Sequence, residues 1–333
     1  MNAQKIGVIG AGAWGTAMAK LQSQNGHEVT IWAYESETAE NINQIHCNST
    51  FLPNVPLPKN LRATVDLSEL IQTHSILMMA IPSHFTREIA GQMAADIKPD
   101  GHLVVLSKGI EQKTLLLMSE VYKEVLPSSI TIAVLSGPNF ASEVASGMPA
   151  AAVLACADAN SGKELQHLLS ASNYRIYFSS DLIGVQIGGA VKNVLAIAAG
   201  VCEGMNLGAN ARASLICRGL AEMKRLGERL EGNVETFLGL SGMGDLTLTA
   251  TDRLSRNYSL GISLGEGTAL GEHLSKKKSI AEGVKNAASL HELTHRLGIQ
   301  LPICDAVYEV LYRGLSCSEA LHRLMDRDLP ECE

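Results

Sequence analysis

The chain has 333 residues, enough for two domains with separate cores at roughly 100 to 200 residues per domain. Hydrophobic residues make up 46% and charged residues 18%, against about 25% charged in an average soluble protein, which excludes a disordered chain and points to extensive burial inside or between subunits. Lys and Arg number 27 and Asp and Glu 34, a net charge of −7 that argues against broad attraction to nucleic acid or an anionic membrane, so an anionic ligand needs a few placed cations.

The first residues, Met1 to Gly15, are too short and glycine-rich an apolar run for a signal peptide. Cys47, Cys156, Cys202, Cys217, Cys304, Cys317 and Cys332 contain no C-x-x-C pair and read as reduced thiols of a cytoplasmic protein. From Lys5 to about Ser180, short β-branched runs alternate with amphipathic stretches, the pattern of βαβ units. The predicted strands are Lys5 to Ile9, Glu28 to Trp32, Ser75 to Ile81, His102 to Leu106, Thr131 to Leu135, Ala151 to Ala155 and Arg175 to Phe178. Most are apolar without alternation, as strands covered on both faces are.

Gly10, Gly12 and Gly15 form G-A-G-A-W-G between the first strand and a helical pattern running to Asn25. The first glycine permits a tight turn, the second lets the backbone approach a pyrophosphate, and the third allows close helix-to-strand packing. That context makes the motif a dinucleotide-binding candidate. Beyond the second strand come Ala33, Tyr34 and Glu35. Glu35 is placed to reach an adenosine ribose, as in an NAD enzyme, but its offset also fits an NADP site from which the acid points away, so both cofactors stay open.

Ligands of doubly wound folds bind outside the carboxyl ends of the strands. There this chain carries Pro82-Ser83-His84, Ser107-Lys108-Gly109 and Ser136-Gly137-Pro138-Asn139-Phe140-Ala141, small, polar and cationic residues at one edge. After Asp181 apolar spacings of three and four take over, and helices are predicted at about 183–202, 211–230, 259–270, 284–297, 303–313 and 318–326. Leu182 to Val201 has the length of a membrane span, but Gln186, Lys192 and Asn193 near its middle favour a buried helix. The expectation is therefore an α/β protein: a Rossmann domain with a doubly wound, mostly parallel sheet over residues 1–182, then an all-helical domain over 183–333.

Lys192 is the only charged residue between Gly184 and Val201. Burial disfavours its ammonium and moves it toward use as a general acid or base. Gly188 and Gly189 precede it on a similar face and are expected to leave room for a ligand. Residues 241–257 resist assignment to an element and read as an active-site segment holding Asp245 and Ser255-Arg256-Asn257. The carboxylate can orient Lys192 or serve as a helix cap, and the guanidinium suits a phosphate. His291-Glu292-Leu293-Thr294-His295 matches the H-E-x-x-H zinc pattern but lies far from every other candidate and lacks a third ligand motif, so no metal site is expected. Ser275-Lys276-Lys277-Lys278 reads as a solvated loop.

These motifs, taken in order, are similar to those of the NAD(P)-dependent glycerol-3-phosphate dehydrogenases of bacteria. The resemblance runs from Gly7 to about Arg323. It rests on G-A-G-A-W-G-T-A at Gly10, I-P-S-H at Ile81, S-K-G at Ser107, S-G-P-N-F-A at Ser136, G-G-A-V-K-N at Gly188, G-A-N-A-R at Gly208, G-D-L at Gly244, S-R-N at Ser255 and A-E-G at Ala281. It implies a Rossmann domain, a helical C-terminal substrate-binding and catalytic domain, and reversible hydride transfer between NADPH or NADH and dihydroxyacetone phosphate, giving sn-glycerol 3-phosphate for phospholipid synthesis. It implies Lys192 as the general acid and base, with Lys108, Gly137, Asn139, Asp245, Ser255, Arg256 and Asn257 around the substrate and Arg256 and Asn257 on its phosphate. Gly10, Gly12, Ala13, Trp14, Gly15, Tyr34, Lys108, Ala141, Arg256, Ile280 and Glu282 would line the cofactor. Trp14 and Asn139 depart from the commonest pattern, a smaller aromatic and Thr, without removing a charge.

Two other readings fit parts of the sequence. A β-hydroxyacid dehydrogenase of the 6-phosphogluconate type shares the two-domain plan and a lysine, but the Ser255 to Asn257 cluster and the Ser136 to Ala141 loop favour the first reading. A non-catalytic NAD(P) sensor keeps the fold, but Lys108, Lys192 and Asp245 together argue against it. A small phosphorylated substrate, no nucleic acid, no membrane insertion and a homodimer complete the expectation.

Overall fold

The computed structural model describes residues 3–275 and 281–327. The chain forms two compact units: one made of the residues up to Lys108 and of 116–186, the other of 109–115 and the chain from Ile187 onward.

The first unit is built on β1 (Lys5–Ile9), β2 (Glu28–Trp32), β3 (Arg62–Thr64), β4 (Ile76–Met79), β5 (His102–Val105), β6 (Thr131–Ser136), β7 (Ala150–Cys156) and β8 (Tyr174–Ser179). They form one sheet in the order β8-β7-β6-β5-β4-β1-β2-β3. Neighbours run parallel except β6 and β7, which pair antiparallel. β4 and β5 are buried at nearly every position, because helices cover both faces and the apolar runs need no alternation. The winding reverses between β1 and β4, where Ile9 lies opposite both Trp32 and Met79, so these three strands end level and open a crevice at the switch point.

β3 and a two-stranded hairpin, Cys47–Asn48 with Leu52–Pro56, were not predicted. β3 is three residues long with no apolar run, and the prolines of the hairpin read as turn signals. The predicted strand at Ser75 to Ile81 is shorter in the structure, ending at Met79.

α1 (Ala13–Gln24) follows β1 directly. The later helices are α2 (Leu182–Gly204), α3 (Gly208–Arg229), α4 (Asp245–Thr251), α5 (Arg256–Gly265), α6 (Glu282–Leu297), α7 (Pro302–Tyr312) and α8 (Cys317–Met325). Among the described residues, every regular element after Ile187 is helical. α2 is long and apolar enough to cross a membrane by length and composition, yet 94% of its most apolar stretch is buried inside the protein. A helix apolar on all sides is a core helix when other helices surround it.

α2 and α5 meet at backbone distance. A Cβ on Gly200 would stand 2.1 Å from the Tyr258 carbonyl oxygen and one on Gly204 2.2 Å from that of Ile262, while Gly261 and Gly265 face the Ile197 and Val201 carbonyls at 2.1 and 2.6 Å. Four glycines spaced by four on the two helices thus set how close the helices come. α5 begins at Arg256, three residues before its predicted start, because Ser255 caps it by accepting from the Tyr258 N–H at 3.2 Å.

Candidate functional site

In the first unit the glycine turn after β1 behaves as its three positions require. Gly10 has φ +112°, which favours glycine, and a Cβ there would lie 2.7 Å from the Ala80 carbonyl oxygen. A Cβ on Gly15 would lie 1.9 Å from the Gly10 carbonyl, so helix and turn touch through backbone alone. At Gly12 a Cβ would meet nothing within 4 Å. The protein does not use that space, and it lies where the N-terminus of α1 presents unpaired N–H groups, the geometry that receives a dinucleotide pyrophosphate. The residues present therefore fit the pyrophosphate of a dinucleotide.

Ala13 and Trp14 form the first turn of α1, Trp14 half-buried against a small cluster of Ala17, Leu52 and Ala145. Tyr34 is 81% exposed beyond β2, its ring edge-on to Trp32 at 6.3 Å between centroids. Glu35 is exposed and precedes the helix Ser36–Ile45, so the acid expected near the ribose sits at a helix start.

The loops after β4, β5 and β6 are tied together. Ser107 Oγ donates to the Ile81 carbonyl at 2.5 Å, and Lys108 Nζ donates to the Gly137 carbonyl at 3.3 Å. Gly137 has φ +145° with Ala152 Cα 3.0 Å from where a Cβ would stand. Asn139 Nδ2 donates to Ala151 O at 3.4 Å, while Asn139 Oδ1 and Ser136 Oγ are buried without a partner. Buried polar atoms are rarely left so. Ala141 opens the short helix Ala141–Ala145 and packs on the same cluster as Trp14. The structure thus brings Lys108, Gly137 and Asn139 to one edge.

In the second unit Lys192 and Asp245, buried to 8% and 1% exposure, form an ion pair of 2.8 Å. Lys192 Nζ also donates to Thr249 Oγ1 at 2.8 Å, and Thr249 Oγ1 donates to the same Asp245 Oδ1 at 3.2 Å. The buried ammonium is therefore paired and hydrogen-bonded, which is the condition for keeping a charge inside. Asp245 reaches it because a π-helical turn, Leu240–Gly244, leads into α4. Contrary to the expectation from sequence that Gly188 leaves room for a ligand, the Ser241 carbonyl occupies that space, 2.3 Å from where a Cβ would be. Thr249 was missed, although its spacing of four from Asp245 places both on one helix face.

Ser255-Arg256-Asn257 divides its tasks. Ser255 Oγ is the α5 cap, Arg256 is exposed, and Asn257 is buried. Asn257 Nδ2 donates to Asn193 Oδ1 at 2.9 Å, and its Oδ1 accepts the Gly283 N–H at 3.0 Å. Asn257 thereby links the residue beside Lys192 to the start of α6, where Glu282 is the first helical residue. Ile280 and the lysines Lys276 to Lys278 lie outside the described residues. His291 and His295 lie on α6, but His291 Nδ1 pairs with Asp305 Oδ1 at 2.7 Å and its ring stacks on Tyr308 at 3.9 Å. Among the described residues no three His, Cys, Asp or Glu side chains gather as metal ligands.

A Rossmann sheet with an open glycine turn, and a helical unit holding a buried lysine against a carboxylate, define a nicotinamide-dependent dehydrogenase. The comparisons with known proteins narrow the class. The N-terminal model of NAD-dependent glycerol-3-phosphate dehydrogenase matches residues 5–162 and the C-terminal one residues 181–322, so the chain belongs to that family. The chain is 46% identical over 326 residues to glycerol-3-phosphate dehydrogenase [NAD(P)+] of Syntrophobacter fumaroxidans, covering 97% of this chain and 96% of the relative. It is 43% identical to the enzyme of that name from Escherichia coli, covering 96% and 95%. The crystal structure of glycerol-3-phosphate dehydrogenase from Coxiella burnetii superposes with a TM-score of 0.94 at 36% identity, covering 98% and 99%. The match to this family displaces the 6-phosphogluconate-type alternative.

Proposed function

We propose that the protein reversibly reduces dihydroxyacetone phosphate to sn-glycerol 3-phosphate with NADPH or NADH, supplying the backbone of glycerophospholipids. The observation that carries this is Lys192 Nζ, buried and held at 2.8 Å by both Asp245 and Thr249. In this reading the first unit is the dinucleotide domain and the second the catalytic one. The bound cofactor supplies the hydride. Lys192 gives the proton to the oxygen that becomes the C2 hydroxyl, and takes it back in oxidation. Asp245 and Thr249 fix Nζ so that this proton has a set origin, Lys108 and Asn139 orient the carbonyl end, and Arg256 binds the phosphate as a planar multidentate donor. Asn257, occupied with Asn193 and Gly283, contributes chiefly by holding α5 in place.

The substrate is then a small phosphorylated molecule rather than a nucleic acid. The charge-poor composition supports a homodimer, the scattered cysteines support a cytoplasmic location, and Gln186, Lys192 and Asn193 within the largely buried α2 support a core helix over a membrane span.

The experiment mixes the protein with dihydroxyacetone phosphate and either NADPH or NADH and follows loss of reduced-nicotinamide absorbance. Lys192→Ala should keep cofactor affinity and lose about 100-fold or more in kcat, the usual scale of general acid catalysis. No consumption of either cofactor by the intact protein would refute the activity, and near-normal turnover in the variant would refute the role of Lys192.

A further inference from the structure

The glycine turn is braced by a residue far from it in sequence. Asn48 belongs to the short hairpin strand Cys47–Asn48 and is 1% exposed. Its amide is fully used: Nδ2 donates to the Ala11 carbonyl at 2.8 Å and to Thr16 Oγ1 at 2.8 Å, and Oδ1 accepts the Phe51 N–H at 3.1 Å. Thr16 Oγ1 in turn donates to Ala11 O at 3.3 Å. The carbonyl between Gly10 and Gly12 therefore takes two side-chain donors, one of them anchored through the hairpin turn.

A trans peptide is planar, with its C=O and N–H pointing in opposite directions. Holding the Ala11 carbonyl toward Asn48 and Thr16 consequently turns the Gly12 N–H the other way. Gly12 is the one glycine of the motif whose Cβ position is open. Glycines rotate freely, so without the brace this peptide could flip and withdraw a donor from the anion.

We propose that Asn48, with Thr16 as its partner, is a positioning residue that presents the Gly12 N–H to the cofactor pyrophosphate. This rests on the dinucleotide-binding reading of the turn. The hairpin Cys47–Asn48 with Leu52–Pro56 is then a support for cofactor binding rather than an ornament of the sheet.

The test measures NADH affinity by titration, together with steady-state kinetics and the thermal midpoint without cofactor. Asn48→Asp keeps the shape and the acceptor for Phe51 but removes both donors. It should raise the Kd and the KM for NADH about tenfold or more, the loss of one to two hydrogen bonds' worth of preorganisation, while kcat at saturating NADH and the KM for dihydroxyacetone phosphate stay within about twofold. Thr16→Val, which keeps the β-branched shape and loses one donor, should raise the NADH Kd about threefold, and it decides the matter if Asn48→Asp does not fold. Unchanged NADH affinity in these variants overturns the proposal. So does a parallel loss of both KM values and of the thermal midpoint, which marks a purely structural role. Failure of the unaltered protein to bind NADH or NADPH overturns instead the dinucleotide reading on which the proposal stands.

Discussion

Replacing Asp245 by Asn removes a charge from beneath Lys192 while leaving an amide oxygen in almost the same place. The pair is 2.8 Å long, with side chains only 10% and 2% exposed. At an effective dielectric of about 20, two unit charges at that distance attract by about 6 kcal/mol before desolvation is counted. Removing one partner of a buried pair costs about 3 to 5 kcal/mol, because the remaining charge is left without its counter-ion. The retained oxygen can still accept from Lys192 and Thr249, so the lower end, about 3 kcal/mol, is the expected loss. In thermal unfolding that corresponds to a midpoint lower by about 6 to 12 °C for a unit of this size. If the same energy positions Nζ for proton transfer, kcat falls by about 100-fold, with cofactor affinity unchanged. Thr249→Val, which removes a neutral partner, should cost about 1 kcal/mol and about fivefold in kcat. A variant Asp245→Asn that keeps its midpoint within about 1 °C and kcat within about threefold would refute the assignment of this pair.

Three further outcomes follow from buried groups and close backbone contacts. Gly188→Ala places a methyl 2.3 Å from the Ser241 carbonyl, and the forced shift should cost about 1 to 3 kcal/mol and lower kcat, since Ser241 lies in the turn that delivers Asp245; thermal melting and turnover check both. Glu222, buried, accepts the N–H groups of Ile303 at 2.6 Å and Cys304 at 3.1 Å at the start of α7, so Glu222→Ala strands two donors and should cost about 2 to 4 kcal/mol in denaturant unfolding, with Glu222→Gln intermediate. Burial holds the His74 imidazole below its ordinary value of 6.5, against a raising contact from the Leu70 carbonyl, and a proton taken up at Nε2 would find no acceptor. The unfolded chain takes up that proton first, so the stability this histidine contributes is complete above pH 6.5 and is lost as pH falls from there through the folded value. His74→Asn, whose amide can replace Nδ1, should flatten this part of the thermal midpoint against pH; an unaltered slope would refute the attribution.

Much of the first unit was legible because its signals are local. β1 and β2 have the predicted bounds, and the other predicted strands differ by one to a few residues, since buried parallel strands are written as apolar runs. The turn at Gly10 to Gly15 was legible for the same reason: three glycines with three separate steric tasks lie within six residues. The hairpin holding Asn48 was not, because its strands are short, carry two prolines and gain their value from a contact with Ala11, 37 residues away. In the second unit Lys192 stood out by isolation in an apolar helix. Asp245 was picked out from its glycine setting, with orienting Lys192 as one of its readings. Thr249 escaped because a threonine in a short helix carries no sign of its partner.

The glycines of the second unit were the hardest to interpret, and they connect the fold to the chemistry. A glycine beside a lysine reads naturally as room for a ligand, but at Gly188 the vacancy is filled by main chain. The same holds at Gly242, where a Cβ would stand 2.2 Å from the Phe237 carbonyl, and at the four glycines joining α2 to α5. Each lets backbone press on backbone, so Asp245 and Thr249 come within hydrogen-bonding distance of Lys192, and Asn257 within reach of Asn193. Of the three glycines in the turn after β1, Gly12 alone has its missing side chain replaced by nothing the protein supplies. A glycine is thus ambiguous in sequence between a packing contact and a binding cradle, and what distinguishes them is whether another segment, often tens of residues away, occupies the place of the absent Cβ.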